Sequence, residues 1–154
     1  MLKVFLTIVW CSMGLVVWGQ TTEQEIIKTI MDSNAYTLEH LKGMGDEISK
    51  HGSLEFWSSG GLIHQVENDP EGASWDQFSL VPKHIQVITL VEGQAAVAMY
   101  YSEGSMTPKG GTHVSHYLTR VTEVFVKEDG KWKTRAAHYS PVMGGSGTSQ
   151  TSTN

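Results

Sequence analysis

The spacing of apolar residues divides the chain into a helical first part and a β-rich second part. Between residues 27 and 41, apolar side chains recur every three or four positions, at Ile27, Ile30, Met31, Leu38 and Leu41. This spacing predicts an amphipathic helix with one buried stripe, which Thr21-Thr22 caps and which Gly43 and Gly45 end. A second, shorter helical segment is predicted from Asp46 to His51.

From Pro82 onward the pattern is typical of β-strands. Strands are predicted over residues 84–91, 94–101, 112–127 and 132–140, and residues 102–111 are predicted to form a loop. The clearest connection is Glu128-Asp129-Gly130-Lys131, because Asp-Gly tolerates the positive φ of a tight hairpin turn. Residues 52–81 are irregular, and within them residues 62–66 fit either a short strand or a helical turn. Helices followed by an antiparallel meander predict an α+β domain.

The two ends of the chain differ from its middle. Lys3 precedes an almost wholly apolar run over residues 4–17, which is typical of a secretory signal peptide over residues 1–19, cut between Gly19 and Gln20. The rival interpretation is an uncleaved membrane anchor, but a spanning helix needs roughly 20 apolar residues. Residues 144–154 are polar and predicted to be disordered. We therefore expect a secreted or periplasmic domain over residues 20–143, free of the membrane after signal cleavage.

Composition narrows the class of protein further. With 154 residues, 40% hydrophobic and 18% charged, the chain suits one ordinary globular domain. Cys11 is its one cysteine and lies in the predicted signal peptide, so the mature domain is expected to have no disulfide. The net charge of −5 and the lack of a basic cluster argue against nucleic acid as a partner. No cofactor is expected.

Three segments near the C-terminus carry a family resemblance: residues 120–124 (RVTEV), residues 128–133 (EDGKWK) and residues 138–141 (HYSP). Together they resemble the closing hairpin of the SnoaL-like group in the nuclear transport factor 2-like superfamily, and of the kinase II association domain. Gly45-Asp46 is similar to the Gly-Asp with which many members end their first helix. The resemblance covers about the last third of the mature chain.

The resemblance implies a cone-shaped, curved antiparallel sheet that wraps around the N-terminal helices and leaves a pocket. It also implies a homodimer formed through the outer face of the sheet. Members include isomerases, cyclases and dehydratases as well as binding and assembly domains, so the fold leaves the function open. We expect a pocket that binds a small, partly apolar molecule. The alternatives are a cofactor-free enzyme and a homo-oligomeric assembly module.

Strand alternation assigns candidate residues to the two faces of the predicted sheet. The faces expected to be concave carry His116, Leu118, Arg120, Thr122, Val124 and Val126 on the long strand, and Trp132, Thr134, Ala136, His138 and Ser140 on the last. Arg120 would then bind a carboxylate on the ligand, with His116 and His138 as hydrogen-bond partners. The alternative is that Arg120 forms a structural pair with Glu55, Glu67 or Asp76.

Other candidates come from the irregular middle and from the strands. Trp57 and Trp75 could stack on an apolar ligand, although filling the core is an equal alternative. Tyr101 is a further candidate for contact with the ligand. For an enzyme, His138 or Asp76 would be the base and Tyr101 the phenol; Glu67 and Tyr139 are also available. His113 and His116 lie on opposite faces of a strand, so no metal site is expected.

Overall fold

The structure, a computed structural model, describes residues 19–142 and 144. These residues form one α-helix and seven β-strands. The predicted signal peptide, apart from Gly19, and the predicted tail, apart from Gly144, lie outside the described residues. None of the helical residues described here makes a segment long and apolar enough to cross a membrane.

Helix α1 spans Thr22–His40 and begins with a capping box. The Thr21 hydroxyl accepts a hydrogen bond from Gln24 N, and the Gln24 side chain accepts one from Thr21 N. The helix ends at His40, and its C-cap Leu41 takes the left-handed conformation two residues before the predicted end at Gly43. Its buried stripe is also rotated from the prediction. Ile26 and Ile30 are buried, whereas Met31 and Leu38 of the predicted stripe are exposed.

The second predicted helix is absent from the described residues that follow α1. Asp46 takes a positive φ of 52°, which interrupts helical geometry. Ser49 N donates to Thr134 O at 2.9 Å, and Thr134 N donates to Glu47 O at 2.9 Å. The backbone of this segment therefore pairs with a distant strand instead of with itself, which is a tertiary effect that local spacing does not reveal.

The strands are β1 Ser53–Phe56, β2 His64–Val66, β3 Trp75–Phe78, β4 Val81–Val91, β5 Ala95–Pro108, β6 Val114–Glu128 and β7 Lys131–Pro141. The four predicted strands are therefore present as β4 to β7. The predicted loop over residues 102–111 is mostly strand, because β5 continues to Pro108. Gly104 permits this continuation, since a Cβ there would lie 2.2 Å from the Ser79 carbonyl oxygen.

All seven strands belong to one sheet in the order β2-β1-β7-β6-β5-β3, with β4 also paired with β5. The described pairs are antiparallel except β1 with β7. The sheet curls into a half-barrel whose concave face packs against α1, and this confirms the predicted α+β cone. A main core cluster joins Ile26 and Ile30 of the helix to Phe125 and Trp132 of the sheet.

One irregularity decides which side chains of β7 reach the concave face. Thr134 pairs with Phe125 and Ala136 pairs with Val124, so Arg135 is an extra residue in β7. Such a β-bulge shifts the alternation by one position. Trp132 and Thr134 face the helix before the bulge, and Ala137 and Tyr139 face it afterwards.

Candidate functional site

A cavity of about 350 Å³ lies between α1 and the concave face of the sheet. Its volume is at the lower end of the range for small-molecule sites. Much of the wall is aromatic, including Trp75, Phe78, Tyr117 and Trp132. The helix contributes a more polar side, made of Thr29, Ser33, Asn34 and Thr37. The charged lining residues are Glu47, Glu55 and Glu123.

Glu123 is the most constrained of these acids. It is buried in the middle of β6, and one tyrosine from each neighbouring strand donates a hydrogen bond to it. Tyr100 Oη lies 2.8 Å from Glu123 Oε2, and Tyr139 Oη lies 3.2 Å from Glu123 Oε1. Both tyrosines pair with Val121, two residues before Glu123, so they reach it diagonally from either side.

The residues directly opposite Glu123 on the two neighbouring strands are small. Ala98 of β5 and Ala137 of β7 pair with it, and both are buried. Because their side chains are single methyl groups, the carboxyl group has room beside it for the two phenols. The clamp of Tyr100 and Tyr139 on Glu123 therefore follows from the register of three strands.

The surroundings of Glu123 change its acidity. Burial raises its pKa to about 7 from the ordinary 4.5, although the hydrogen bonds from Tyr100 and Tyr139 act in the opposite direction. The negative charges of Glu55 and Glu47 raise this pKa further. Burial and the nearby Glu123 charge raise the pKa of both tyrosines well above 10.0, so the phenols keep their protons.

The other two acids lie around Glu123. Glu55 of β1 pairs with Ala137, so Glu55 and Glu123 lie in one cross-strand row, two strands apart or about 10 Å. Trp57 Nε1 donates to Glu55 Oε2 at 2.9 Å. Glu47 accepts a hydrogen bond from the Ser33 hydroxyl of the helix. Three carboxyl groups thus border one largely aromatic cavity.

The chemistry available to this arrangement is hydrogen bonding and proton exchange. A carboxyl group with a pKa of about 7 exists in both forms near neutrality, so Glu123 can accept a proton from a bound molecule or donate one to it. Across the described part of the chain, no group of three or more His, Cys, Asp or Glu residues is placed to hold a metal ion.

Comparison with known proteins identifies the fold. No protein-family model and no curated protein matches the sequence. A nuclear transport factor 2-like protein of unknown function from Prochlorococcus marinus superposes with a TM-score of 0.53, at 20% identity over 85% of this chain and 97% of that one. The chain has the nuclear transport factor 2-like fold. The predicted resemblance in fold is confirmed, while the SnoaL-like subgroup stays a prediction.

Two further solved structures with this fold are similar. A candidate calcium/calmodulin-dependent protein kinase II association domain from Xanthomonas campestris has a TM-score of 0.54 at 18% identity, over 77% of this chain and 86% of that one. A candidate domain of the same kind from Exiguobacterium sibiricum has a TM-score of 0.52 at 14% identity, over 77% and 91%. At these identities, the likeness concerns the fold alone.

The predicted assignment of faces is wrong for β6 in this nuclear transport factor 2-like fold. Tyr117, Val121 and Glu123 face the cavity, whereas His116 and Arg120 are exposed on the convex face. Arg120 Nη2 donates to the Pro141 carbonyl oxygen at 3.0 Å, and this contact replaces the predicted pair with an acid. The convex face carries as continuous a set of apolar side chains as the concave one, so apolar content did not distinguish them.

The β-bulge at Arg135 explains why the concave face of β7 was predicted wrongly after Thr134. Trp132 and Thr134 line the cavity as predicted, but the extra residue Arg135 reverses the alternation that follows. His138 is therefore exposed on the convex face, where its ring meets Phe56 edge to face at 5.6 Å. The sequence carries no clear signal of the bulge, because Arg135 fits an unbroken strand equally well.

The remaining predicted site residues divide between the cavity and the surface. Trp75 lines the cavity, and Trp57 instead stacks on His64 at 4.1 Å while holding Glu55. Tyr101 is exposed and meets His84 edge to face. Asp76 forms an exposed ion pair with Lys109 at 2.8 Å, and this hydrogen bond lowers the Asp76 pKa.

Glu123 and Tyr100 were not among the site residues predicted from the sequence, and Tyr139 was predicted only as an available phenol. One signal for Glu123 was present. It is an acid in the middle of a strand whose same-face neighbours, Val121 and Phe125, are apolar. An ionisable residue in an otherwise apolar row requires a partner, and it is a candidate functional group for that reason.

Proposed function

We propose that this domain binds a small, largely apolar molecule in the cavity, with Glu123 as its polar anchor. The observation that supports this most directly is the clamped carboxyl group of Glu123 on an otherwise aromatic wall. Burying an acid is costly, and a structural role alone does not require empty space beside it. A largely apolar pocket with few polar groups is the usual form of a small-molecule site.

The ligand needs no carboxylate group, although one was predicted from the sequence. That expectation depended on Arg120, which faces away from the cavity. Native mass spectrometry of the purified chain tests the binding role. We expect a small molecule to remain bound to the wild type and to be lost from Glu123→Gln. The exposed Glu67→Gln variant is the matched control and should retain it. Equal retention by all three proteins would contradict the anchoring role of Glu123.

A second candidate function is a cofactor-free enzyme that moves a proton on the bound molecule. Its specific support is an acid with a pKa of about 7 placed between two phenols. Such an acid can take a proton from carbon or oxygen and return it elsewhere, as isomerases and dehydratases require. Exchange of ligand hydrogen for solvent deuterium would test this. Glu123→Gln should show no exchange even at ligand concentrations high enough to overcome its weaker binding, and exchange at the wild-type rate in this variant would contradict the role.

We further propose that the domain forms a homodimer through the convex face of the sheet. Leu54, Phe56, Ile88 and Met99 are exposed on this face, and solvent-exposed apolar patches commonly mark association surfaces. Two of the similar solved structures are candidate association domains, which favours the same interpretation. Light scattering should give a dimer for the wild type and a monomer for Phe56→Glu. Leu62→Glu, outside the strands, is the control. A monomeric wild type would contradict the dimer and the assembly role.

Export stays part of the proposal because of the apolar run over residues 4–17. We expect the mature protein to be secreted or periplasmic and to begin at Gln20. Intact-mass measurement of the protein recovered outside the cytoplasm would test the predicted cleavage after Gly19. Recovery of the uncut chain in the membrane fraction would contradict it.

A further inference from the structure

The charged groups of the cavity all have the same sign. Glu47, Glu55 and Glu123 line it, and none of the described lining residues is Lys, Arg or His. A bound anion would therefore meet uncompensated negative charge in a partly desolvated space, where electrostatic repulsion is strong. This arrangement disfavours carboxylates, phosphates and sulfates as ligands.

Six of the hydroxyl groups that line the cavity already donate their hydrogens to protein oxygens. Tyr100 and Tyr139 donate to Glu123. On the helix, Thr29 Oγ1 donates to Glu25 O at 2.9 Å, and Thr37 Oγ1 donates to Ser33 O at 3.0 Å. These oxygens can still accept hydrogen bonds, because a hydroxyl group has two lone pairs.

The hydroxyl groups of Ser33 and Tyr117 also donate their hydrogens to protein oxygens. The Ser33 hydroxyl donates to Glu47 Oε1, and Tyr117 Oη donates to Ser58 Oγ at 3.3 Å. The hydroxyl and carboxylate oxygens of the cavity therefore present mainly acceptors. A ligand that supplies donor hydrogens would be complementary to these oxygens, whereas a ligand with acceptors alone would leave them without a bond.

The aromatic wall of the cavity also favours a ligand that carries positive charge. The faces of aromatic rings carry partial negative charge and attract a cation placed over them. Trp75, Phe78 and Tyr117 all line the cavity. Charge, hydrogen-bond capacity and ring electrostatics thus select for the same chemical group.

We propose that the cavity binds an organic amine in its cationic form, whose apolar body lies against the aromatic wall and whose ammonium group binds Glu123. This inference rests on the proposed binding function and adds the ligand class to it. The ammonium group supplies positive charge and donor hydrogens together. Glu123 Oε1 and Oε2 each accept one hydrogen bond from a tyrosine and keep capacity for another.

Binding should depend on pH through Glu123. The titratable groups that act on it are Tyr100 of β5, Tyr139 of β7, Glu55 of β1 and Glu47 before β1. The side of α1 that lines the cavity is uncharged there, with Thr29, Ile30, Ser33, Asn34 and Thr37. Since Glu123 must be ionised to pair with an ammonium group, amine affinity should fall as the pH drops below about 7.

Calorimetric titration of the full purified chain with three matched probes tests the inference: 2-phenylethylamine, 2-phenylethanol and phenylacetate. At about pH 8 we expect the amine to bind about tenfold more tightly than the alcohol, and phenylacetate to bind most weakly. At about pH 5.5 the amine should lose about tenfold in affinity, whereas the alcohol should stay within about twofold. This ranking needs no variant and so does not depend on a mutant that folds.

Two variants then test whether Glu123 causes the preference for the amine. In Glu123→Gln the amine should bind no more tightly than the alcohol, and Glu67→Gln should preserve the wild-type ranking. Equal affinity of amine and alcohol in the wild type, or tightest binding of phenylacetate, would overturn the inference and leave the binding proposal standing. Undiminished preference for the amine in folded Glu123→Gln would overturn the role of that residue. Binding of none of the probes would overturn both the inference and the proposed function.

Discussion

The two faces of β6 differ in function although their sequences are similarly apolar. Toward the helix, the strand presents Val121, Glu123 and Phe125, all buried. Toward the outside, it presents Arg120, Thr122 and Val124, which are exposed or half-buried. The acid is on the inner face and the base is on the outer face, which is the reverse of what an anion-binding pocket would need. Apolar content therefore does not identify the inner face of a curved sheet.

The difference arises from what covers each face. The concave face is covered by α1, which excludes water and so raises the pKa of Glu123. The convex face has no such helical cover in the described residues, and Arg120 on it is exposed. The same type of side chain is consequently expected to differ in burial and acidity between the two faces. Four measurements test this difference.

Truncating one phenylalanine on each face should give the largest contrast. Phe125 is buried in the main core cluster, whereas Phe56 is 46% exposed on the convex face. We expect Phe125→Ala to lower the free energy of unfolding by about 3–5 kcal/mol, because it leaves a cavity in the core. Phe56→Ala should cost about 1 kcal/mol or less when measured by denaturant titration at high dilution. Equal losses would contradict the assignment of the two faces.

The pH dependence of stability should report the burial of Glu123. Its pKa rises on folding, so the folded state keeps a proton that the unfolded chain releases between the ordinary pKa of 4.5 and about 7. The contribution of Glu123 to stability is therefore fully present below pH 4.5 and is lost as pH rises through this window, by about 3 kcal/mol in total. Glu123→Gln should remove this loss, and Glu67→Gln should keep it. Denaturant titration from acid to mildly basic pH checks both, and parallel profiles would contradict the burial.

Removing one phenol from each face of β5 should give a smaller contrast. Tyr100 and Tyr101 are adjacent and face opposite sides, and only Tyr100 of the two donates to Glu123. Tyr100→Phe should cost about 1–3 kcal/mol above neutral pH, since the charged carboxylate loses a donor. It should also raise the Glu123 pKa further. Tyr101→Phe should change neither quantity, and carboxyl carbon NMR titration would show a shift in both variants if this division is wrong.

The smallest effects are expected from the predicted residues that lie on the convex face. Arg120→Ala and His138→Ala should each change stability by about 0.5 kcal/mol or less, as is usual for exposed positions. They should also leave small-molecule affinity unchanged, which a thermal-shift titration can measure. A loss of ligand response in Arg120→Ala would instead support the original expectation that this residue binds the ligand.

Much of the fold was predictable from local patterns. The period of α1, the Asp129-Gly130 turn and the alternation along β6 are encoded in neighbouring residues. What local patterns could not predict depends on contacts between distant segments. Residues 46–51 pair with β7 instead of forming a helix, and β5 extends through Gly104 because the backbone at Ser79 packs against it.

The site was less predictable for the same reason. Whether Arg120 or Glu123 faces the helix depends on the register of the whole sheet, and a shift of one residue reverses every side chain. The bulge at Arg135 adds a second reversal, which moves Tyr139 inward and His138 outward. Of the two tryptophans named from the irregular middle, Trp75 lines the cavity and Trp57 stacks on His64 outside it, a difference that local sequence does not encode.

The two alanines beside Glu123 have a consequence for how such a domain could diversify. Ala98 and Ala137 leave the space beside the acid that the phenols of Tyr100 and Tyr139 occupy. Enlarging either alanine would push a phenol away from Glu123, so the acid would lose a hydrogen-bond donor. Relatives that keep this buried acid are therefore expected to keep both of its cross-strand neighbours small.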